Sequence, residues 1–410
     1  MKKYNLIVVG GGIAGIAAAV SAARGGLSVL LVEKFGSLGG ALSNSLVYPF
    51  MRFSMHDEKK LLSDGIFTEM RERKEKYNDT SWEAYKFVFD DMVTEAGVDV
   101  LFHATVFEAD VEEKKINSVK IATKSGVLNI EADFFIDASG DGELFYMTGC
   151  DFQLGRESDS LSQPMTTCFR MGNVDIDLFL REKGFLQEKY KELRENGAIL
   201  NPRENILVFL GLGDGIVHFN TTRIVKHNPV DPFEVSKAEI IARKQIYEMV
   251  DFLKKNSGAF KNSTITSIAS HIGVRESRKL KGVYVLTGED ITEFREFEDT
   301  IALGNYGIDI HNPEGTGTTQ FHLKDGEYYQ IPYRSLLPKE YDNMLVAGRC
   351  LSATHTAHSA VRIMPICASL GEAAGVAVVI AKETDRNTHN LDIKILQDRL
   401  KKQGAVIDIA

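Results

Sequence analysis

The chain has 410 residues, of which 44% are hydrophobic and 26% are charged; this length and balance are typical of a globular enzyme with room for two domains. The net charge of −9 argues against nucleic-acid binding, which favours a basic surface. Four widely spaced cysteines without a C-x-x-C pair argue against zinc, iron–sulfur clusters and a disulfide framework. We therefore expect no metal and a cytoplasmic location.

A short buried strand at the N-terminus leads into the glycines Gly10, Gly12 and Gly15 and then into an alanine-rich helix. A second apolar strand, residues 29–32, ends at Glu33. This order of strand, G-x-G-x-x-G turn, helix, strand and acid is the fingerprint of a dinucleotide-binding unit. The glycines let the backbone approach a pyrophosphate, the helix N-terminus attracts its charge, and Glu33 accepts hydrogen bonds from a ribose.

The same segment resembles a secretory signal in one respect, because Lys2 and Lys3 precede an apolar stretch. Cleavage near Ala22 would remove the glycine turn, so we expect the segment to stay in the mature protein. The sequence has no uninterrupted apolar run of about 18 residues, the length of a membrane-spanning helix. We expect a small-molecule substrate, no nucleic-acid partner and no membrane partner, and the oligomeric state stays open.

Hydrophobic periodicity predicts further elements along the chain. In chain order they are a helix over 81–96, strands over 98–103, 105–110, 116–123, 126–131 and 133–138, long helices near 175–196 and 234–255, loops over 302–330, a nucleotide-type segment at 344–349 and a Gly/Ala-rich helix over 365–382. The two ends of the chain share the nucleotide-type character, and the middle differs. We predict an α/β fold in which residues 1–150 and 331–410 form a Rossmann-like domain, with an inserted α+β substrate domain over 151–330.

Three features indicate that the dinucleotide is FAD, and that the Rossmann-like domain is an FAD-binding domain. A second glycine pair, Gly39 and Gly40, follows the Glu33 strand, where a long cofactor would pass. A predicted strand returns to the nucleotide at residues 138–141, Ala-Ser-Gly-Asp. Far downstream, a glycine-rich helix begins near Pro365, and its positive end would stabilise the negative charge of a reduced flavin.

Five motif-bearing stretches run almost from end to end of the chain: residues 10–33, 134–142, 273–287, 329–336 and 346–365. On these stretches the chain resembles the FAD-dependent oxidoreductase family of the two-dinucleotide-binding-domain class, which also contains relatives of fumarate reductase and of glucose-inhibited division protein A. Two positions depart from the usual pattern. Ser139 stands where the class usually has Thr, and Glu372 stands where Gln is expected.

The resemblance implies a non-covalent FAD and a set of residues along it. Gly10, Gly12 and Gly15 turn around the pyrophosphate, and Glu33 holds the adenosine ribose. The other residues expected to bind the cofactor are Ile13, Ala14, Lys34, Gly39, Gly40, Ala41, Val106, Ala138, Ser139, Gly140, Asp141, Gly348, Arg349, Ile363, Met364, Pro365 and Ile366. Within this set, the strand of Val106 is expected near adenine, and residues 363–366 are expected near the isoalloxazine ring.

A flavoenzyme also needs side chains that move a proton and orient the substrate. His355 and His358 precede the flavin-facing helix and are the main acid/base candidates. Tyr333, His271 and His322 are weaker candidates. For His355 and His358 the structural alternative is that one of them caps backbone carbonyls or supports the turn, and for Tyr333 it is packing.

Two arginines are candidates for binding a substrate carboxylate or polarising a carbonyl. Arg275 and Arg362 have planar guanidinium groups that suit both tasks. The alternative for Arg275 is an ion pair with Glu276 that braces the two domains, and for Arg278 bracing is favoured.

The combined pattern predicts hydride transfer between a small polar or anionic substrate and N5 of FAD. Oxidation beside a hydroxyl or amine and reduction of an activated double bond both stay open. One alternative is a biosynthetic protein resembling a thiazole synthase, with NAD or an adenylated intermediate and no flavin. Another is a flavin-bearing subunit that passes electrons to a partner.

Overall fold

The computed structural model describes residues 3–55 and 60–409, so Lys2 of the signal-like segment lies outside the described residues. Its helices are α1 (Ile13–Arg24), α2 (Ala41–Asn44), α3 (Ile66–Glu75), α4 (Ala84–Glu95), α5 (Glu143–Met147), α6 (Ile176–Glu195), α7 (Pro232–Asn256), α8 (Gly288–Thr292), α9 (His355–Val361), α10 (Met364–Thr384) and α11 (Ile393–Lys402). Its strands are β1 (Lys3–Val9), β2 (Val29–Val32), β3 (Asp99–Leu101), β4 (Thr105–Glu112), β5 (Lys115–Thr123), β6 (Gly126–Asp137), β7 (Phe152–Leu154), β8 (Phe169–Gly172), β9 (Val208–Phe209), β10 (Val217–Phe219), β11 (Thr264–Ile268), β12 (Arg278–Leu280), β13 (Thr300–Gly304), β14 (Ile308–His311), β15 (Thr318–Phe321), β16 (Tyr329–Pro332) and β17 (Met344–Val346). Two 3₁₀ helices cover Gly258–Phe260 and Tyr333–Leu336.

A seven-stranded sheet forms the centre of the nucleotide-binding domain, with the order β3-β2-β1-β6-β5-β4 and with β17 beside β6. The pairs β2–β3, β1–β2, β1–β6 and β6–β17 are parallel. The strand β17 comes from the far end of the chain, so the two chain ends share one sheet. The α/β fold class predicted from the sequence is confirmed.

The strand β6 is a single element where the sequence predicts two strands, 126–131 and 133–138. Its first half pairs antiparallel with β5, and its second half lies between β1 and β17. The burial of its side chains rises along the strand as the partners change. Because the burial changes near Ala132, the hydrophobic pattern of the sequence also changes there, and this change suggests two strands. The backbone itself continues through Ala132 without a turn.

Helix α1 follows the glycine turn and is buried on all sides from Ile13 to Ala22. Gly10 has a φ of +100°, and a Cβ there would lie 2.6 Å from the carbonyl oxygen of Ala138. The turn therefore requires glycine at this position. A helix that is apolar on all sides must pack against other elements on both faces. Helix α1 packs against the sheet on one face and against α10 on the other.

Helices α1 and α10 cross at very close range. A Cβ on Gly371 would lie 2.0 Å from the carbonyl oxygen of Ala14, and a Cβ on Gly375 would lie 2.4 Å from that of Ala18. By length and composition α10 is the one described helix that could cross a membrane, but 94% of its apolar window is buried inside the protein. The glycines and alanines of α10 thus serve the close contact with α1.

The inserted region has its own sheet, with the order β11-β8-β10-β9. Its inner face, Phe169, Met171, Val217 and Phe219, forms a hydrophobic core with α6 and α7. These two helices match the predicted segments near 175–196 and 234–255, because the amphipathic period is long and unbroken. The opposite face of the sheet carries polar side chains and is turned away from this core.

Residues 302–330 are not the loops that the sequence predicts, since β13 pairs with β16 and β14 pairs with β15 in this segment. The glycines lie mainly between short strands, and β15 is exposed along its length. Residues of β13 and β16 also join the core that contains α1 and α10. The domain limits stay a prediction, and this packing favours an insertion that ends before β12 rather than at 330.

Replacement of Gly371 by alanine tests the α1–α10 contact. We expect Gly371→Ala to lower the free energy of unfolding by about 1–3 kcal/mol, because the added methyl group meets the backbone of α1. The matched control is Gly184→Ala in α6, where a Cβ would have no atom within 4 Å. It should raise stability by about 0.5–1 kcal/mol. Denaturant unfolding followed by circular dichroism measures both, and equal effects would contradict this account.

Glu372 provides a test by pH. Its side chain is 1% exposed, and its Oε2 accepts a hydrogen bond of 3.2 Å from the backbone N–H of Ile66, at the start of α3. Burial raises the pKa of Glu372 to about 7, although this hydrogen bond opposes the shift. The unfolded carboxyl has a pKa of about 4.3, so the folded state binds an extra proton between these values. Its contribution to stability is therefore lost as the pH rises from about 4.3 to 7.

We expect Glu372→Gln to be more stable than the parent protein by about 1–3 kcal/mol at pH 8, because the amide imitates the protonated carboxyl. The difference should shrink towards zero near pH 4.5. Unfolding free energies measured across this range provide the test. A difference that does not change with pH would show that Glu372 does not titrate in the folded state near neutrality.

Candidate functional site

A long cleft opens at the carboxyl ends of the parallel strands, where ligands bind in folds of this kind. It is lined by the loops that follow β1, β2, β6 and β17 and by the start of α10. Its lining includes Glu33 and Val106 and also Arg362 and Met364. The part at Arg362 and Met364, where the isoalloxazine ring is expected, is called the flavin end. The strand order places segments that are more than 300 residues apart in the sequence on one wall.

The N-termini of two long helices, α1 and α10, lie in this cleft. Helix α1 begins after Gly12 and α10 begins after Ile363. At neither N-cap position does a side chain accept a hydrogen bond from the first N–H groups of the helix. Gly12 and Met364 both line the cleft. Helix N-termini carry unpaired N–H groups and a partial positive charge, so each is suited to an anionic group.

Most residues predicted to bind FAD line this cleft. Those that do so are Gly10, Gly12, Ile13, Ala14, Glu33, Lys34, Gly39, Gly40, Ala41, Val106, Ala138, Ser139, Gly140, Asp141, Gly348, Arg349 and Met364. Gly15, Ile363, Pro365 and Ile366 are not among the lining residues. Gly15 instead packs α1 on the turn, since a Cβ there would lie 1.8 Å from the carbonyl oxygen of Gly10.

The residues present fit FAD. A Cβ on Gly12 would meet nothing nearer than the Cα of Gly40, 4.0 Å away. The backbone of the glycine turn is therefore open towards the cleft, as approach of a pyrophosphate requires. The uncapped start of α10 lies at the opposite end, where the isoalloxazine ring is expected.

Glu33 binds neighbouring backbone N–H groups, a role that the sequence analysis does not predict. Its carboxylate accepts hydrogen bonds from the backbone N–H groups of Gly11, at 2.7 Å, and Phe35, at 2.8 Å. Burial raises the pKa of Glu33, and these two hydrogen bonds oppose that rise. Each oxygen keeps a second lone pair, so binding of a ribose stays a prediction for this residue.

Asp141, Arg349 and Ser277 form a connected group beside the cleft. Arg349 Nη2 lies 2.9 Å from Asp141 Oδ1, and the hydroxyl of Ser277 donates to the same oxygen at 2.7 Å. Burial alone would raise the pKa of Asp141, but the charges of Arg349 and Lys34 lower it. Asp141 is thus held as a carboxylate, and Arg349 is oriented by it.

The stretch Gly-Val-Arg-Glu-Ser-Arg-Lys, residues 273–279, distributes its side chains to different neighbours. The structural alternative predicts that Glu276 pairs with Arg275 or Arg278. Among the described residues, Glu276 pairs with neither of them. Its carboxylate binds Lys279 and lies 2.8 Å from His355 Nδ1. Arg278 stacks 3.9 Å from the ring centre of Tyr146. The backbone is irregular over residues 273–277, and the strand β12 begins only at Arg278.

The acid/base candidates are placed unequally. His355 is 6% exposed and is held by Glu276, outside the residues that line the cleft. His358 is fully buried, and its Nε2 donates to the carbonyl oxygen of Arg349 at 2.8 Å. Tyr333 is buried in the core and donates to the carbonyl oxygen of Thr388. His358 Nε2 and the Tyr333 hydroxyl both bind buried backbone carbonyls, and neither residue lines the cleft. His271 does line the cleft.

Arginine residues gather at the flavin end of the cleft. Arg362 lines the cleft, and its Nη2 lies 3.4 Å from Gln163 Oε1. Arg275 Nη1 donates to the carbonyl oxygen of Pro164 at 2.7 Å and to the hydroxyl of Thr166. Burial lowers the pKa of Arg275, and the positive charges of Arg362 and Arg203 lower it further.

Sequence reasoning missed a second group around these arginines. Arg223 Nη2 lies 3.3 Å from His311 Nδ1, and His311 Nε2 lies 3.3 Å from Asp309 Oδ2. Because a guanidinium only donates, Nδ1 accepts and the proton of His311 is on Nε2. Burial and the charge of Arg275 lower the pKa of His311 to about 3, so the ring is neutral. Arg223 belongs to a buried stretch, Thr221, Thr222 and Arg223, that follows the end of β10 at Phe219, and no motif in the sequence marks it.

Comparison with characterised proteins adds to this geometry. The chain is 28% identical over 194 residues to digeranylgeranylglycerophospholipid reductase 1 of Methanococcoides burtonii, which is 43% of this chain and 46% of that protein. It is 25% identical over 197 residues to the digeranylgeranylglycerophospholipid reductase of Thermoplasma volcanium, 43% of this chain and 49% of the relative. The matches therefore span about half the length of these relatives.

A solved structure of a geranylgeranyl bacteriochlorophyll reductase-like protein from Thermoplasma acidophilum aligns with 98% of this chain and 84% of its own, with 15% identity and a TM-score of 0.49. The family described as "FAD dependent oxidoreductase" matches residues 5–400. The chain therefore belongs to the FAD-dependent oxidoreductase family, and it is an oxidoreductase with FAD as its cofactor.

Proposed function

We propose that the protein transfers a hydride between FAD and a small anionic substrate whose carboxylate binds Arg275 and Arg362. The observation that supports this most directly is the pairing of Arg275 with the carbonyl of Pro164 and the hydroxyl of Thr166, with no carboxylate partner in the part of the chain that the structure describes. FAD, when bound, accepts or donates the hydride. The chain's own residues bind the substrate, orient it and exclude water.

Charge explains why these arginines favour an anion. A buried guanidinium is costly unless an opposite charge compensates it. The lowered pKa of Arg275, caused by burial and by two neighbouring cations, indicates that this compensation is incomplete. A substrate carboxylate would supply it, and the planar fork of an arginine would fix its orientation.

The position of Arg362 ties the anion site to the cofactor. It lines the cleft next to Met364, the first residue of α10. Its Nε has no hydrogen-bond partner among the residues that the structure describes. A carboxylate between Arg275 and Arg362 would therefore lie beside the flavin end of the cleft, where the reacting carbon must be held.

The curated relatives are named as phospholipid reductases, but they match only 43% of this chain. A hydrocarbon chain alone would leave Arg275 uncompensated. For this reason we favour a small carboxylate, and the direction of the reaction is left to experiment. A cytoplasmic location and the absence of nucleic-acid and membrane partners remain proposals from composition.

The attachment of FAD is tested by its release. The purified protein should show flavin bands, and after denaturation and filtration the colour should appear in the filtrate, because no residue of the cleft was identified as a covalent anchor. Colour that stays on the polypeptide would contradict non-covalent binding. A colourless protein that takes up no added FAD would instead support the alternative hypothesis of a biosynthetic protein that resembles a thiazole synthase and binds no flavin.

The carboxylate site is tested by two substitutions, Arg275→Gln and Arg362→Gln. Each should weaken binding of succinate or another small carboxylate about 10- to 100-fold, since a charge-assisted hydrogen bond is lost. The measurement is the perturbation of the visible flavin spectrum during titration. The matched control is Arg243→Gln, because Arg243 pairs with Glu239 on the exposed side of α7. The proposal would be contradicted if small carboxylates bound the parent protein and the three variants with equal affinity.

A further inference from the structure

The four-stranded sheet of the inserted region has a second face with an unusual polar pair. His218 of β10 is directly opposite Arg170 of β8 in the strand register. Both alternate with the core residues Phe169, Phe219 and their neighbours, so both project from the face opposite α6 and α7. His218 is fully buried, and Arg170 is 8% exposed.

His218 makes no hydrogen bond within the described part of the chain. Neither Nδ1 nor Nε2 has a polar partner among residues 3–55 and 60–409, and the same is true of Arg170 Nε. Burial lowers the pKa of His218 to about 3, and the charge of Arg170 lowers it further. The neutral ring therefore presents one buried donor and one buried acceptor, a costly arrangement unless a ligand group pairs with them.

Aromatic rings stand around this pair. The Tyr48 ring centre lies 5.7 Å from that of His218 and 5.6 Å from that of Phe209. Trp82 meets Tyr48 edge-on at 4.5 Å. Tyr48, Trp82 and Phe209 are each partly exposed, so their faces and edges are not fully used by the protein. Such rings favour contact with another planar group.

A short chain segment and a buried cluster connect this face to the flavin cleft. Ser45 lines the cleft, and the chain reaches Tyr48 three residues later. Cys168, which precedes β8, packs with Leu46 and Ala269 between the two regions. The charges of both Arg275 and Arg170 act on the Cys168 thiol. Arg275 and Arg170 therefore both lie close enough to Cys168 for their charges to act on its thiol.

We propose that Arg170, His218 and the rings of Tyr48 and Phe209 form a distal subsite for the substrate. The substrate is then an aromatic or similarly planar carboxylate with a hydroxyl or carbonyl at the end far from the carboxylate. This inference rests on the proposed function, which places the carboxylate at Arg275 and Arg362. The ring lies along Tyr48, and the distal oxygen pairs with His218 and with Arg170 Nε.

The alternative is an aliphatic substrate confined to the arginines. It would leave the donor and acceptor of His218 unpaired and would not use the rings. The two cases differ in the acids that bind best and in the response of Trp82, the single tryptophan of the chain.

The test is a titration of the FAD-bound protein with succinate, cinnamate, 4-hydroxycinnamate and the uncharged 4-methylphenol. The flavin spectrum reports on the carboxylate site, and the fluorescence of Trp82 reports on the distal subsite. We expect cinnamate to bind about tenfold more tightly than succinate, because of ring contacts, and the hydroxyl to add about a further five- to tenfold. Both aromatic acids should change Trp82 fluorescence, and succinate should not.

Two variants assign the effect to residues. His218→Leu should abolish the gain from the hydroxyl and leave cinnamate affinity within about threefold, whereas Arg275→Gln should weaken both aromatic acids. If His218→Leu fails to fold, His218→Asn keeps a polar group of smaller size and should retain part of the gain.

The outcomes separate the two proposals. Arg275-dependent binding of succinate at least as tight as that of the aromatic acids, with no Trp82 response, would overturn the distal subsite and keep the proposed function. Binding of 4-methylphenol that depends on His218, without binding of any carboxylate, would support the subsite and overturn the carboxylate site. No binding of any probe would overturn both.

Discussion

The close contact between α1 and α10 is the constraint on which the remaining structure depends. These helices come from opposite ends of the chain, and Gly371 and Gly375 let α10 lie directly on the backbone of Ala14 and Ala18. The contact brings β17 into the same sheet as β1. It also aims two uncapped helix N-termini into one cleft. Because helix dipoles act only over the first turn, a shift of one helix along the other would separate the two anion-attracting ends.

The stretch over residues 273–279 links the cofactor to the substrate region. Arg275 faces the arginine group, Ser277 binds Asp141 beside the cofactor, and Glu276 holds His355. Burial would raise the pKa of Glu276, but His355 and Lys279 lower it to about 2. The carboxylate therefore stays charged and fixes His355 in place. A movement of this strand would change cofactor contacts and substrate contacts together, so their relative position is set by one backbone segment.

The nucleotide half of the molecule could be predicted from sequence because its signals are local. Gly10 to Glu33 is one unbroken unit in which turn, helix and strand are each encoded by adjacent residues. The substrate half could not be predicted in the same way. Arg203, Arg223 and His311 come from three separate segments, and only the packing of β14 against the inserted region brings them near Arg275. A catalytic role for His358 or Tyr333 stays a prediction; each donates a hydrogen bond to a buried backbone carbonyl, a contact that the sequence cannot show.

The arginine group has consequences for stability as well as for binding. Glu204 pairs with Arg223 of this group at 2.8 Å. Asp309 is a second carboxylate of the group; burial alone would raise its pKa, but His311 and Arg362 hold that pKa well below its usual range. Its Oδ2 is already used by His311, at 3.3 Å, and by the hydroxyl of Tyr306, at 2.8 Å, and its Oδ1 accepts from the Gln320 amide at 3.2 Å. Asp309 therefore cannot also turn towards Arg275. Among residues 3–55 and 60–409 no carboxylate pairs with Arg275, so this part of the chain keeps a positive charge there that it does not neutralise, at a cost in folding free energy. A bound anion offsets that cost in the folded state alone, so substrate binding and folding stability are coupled at this site.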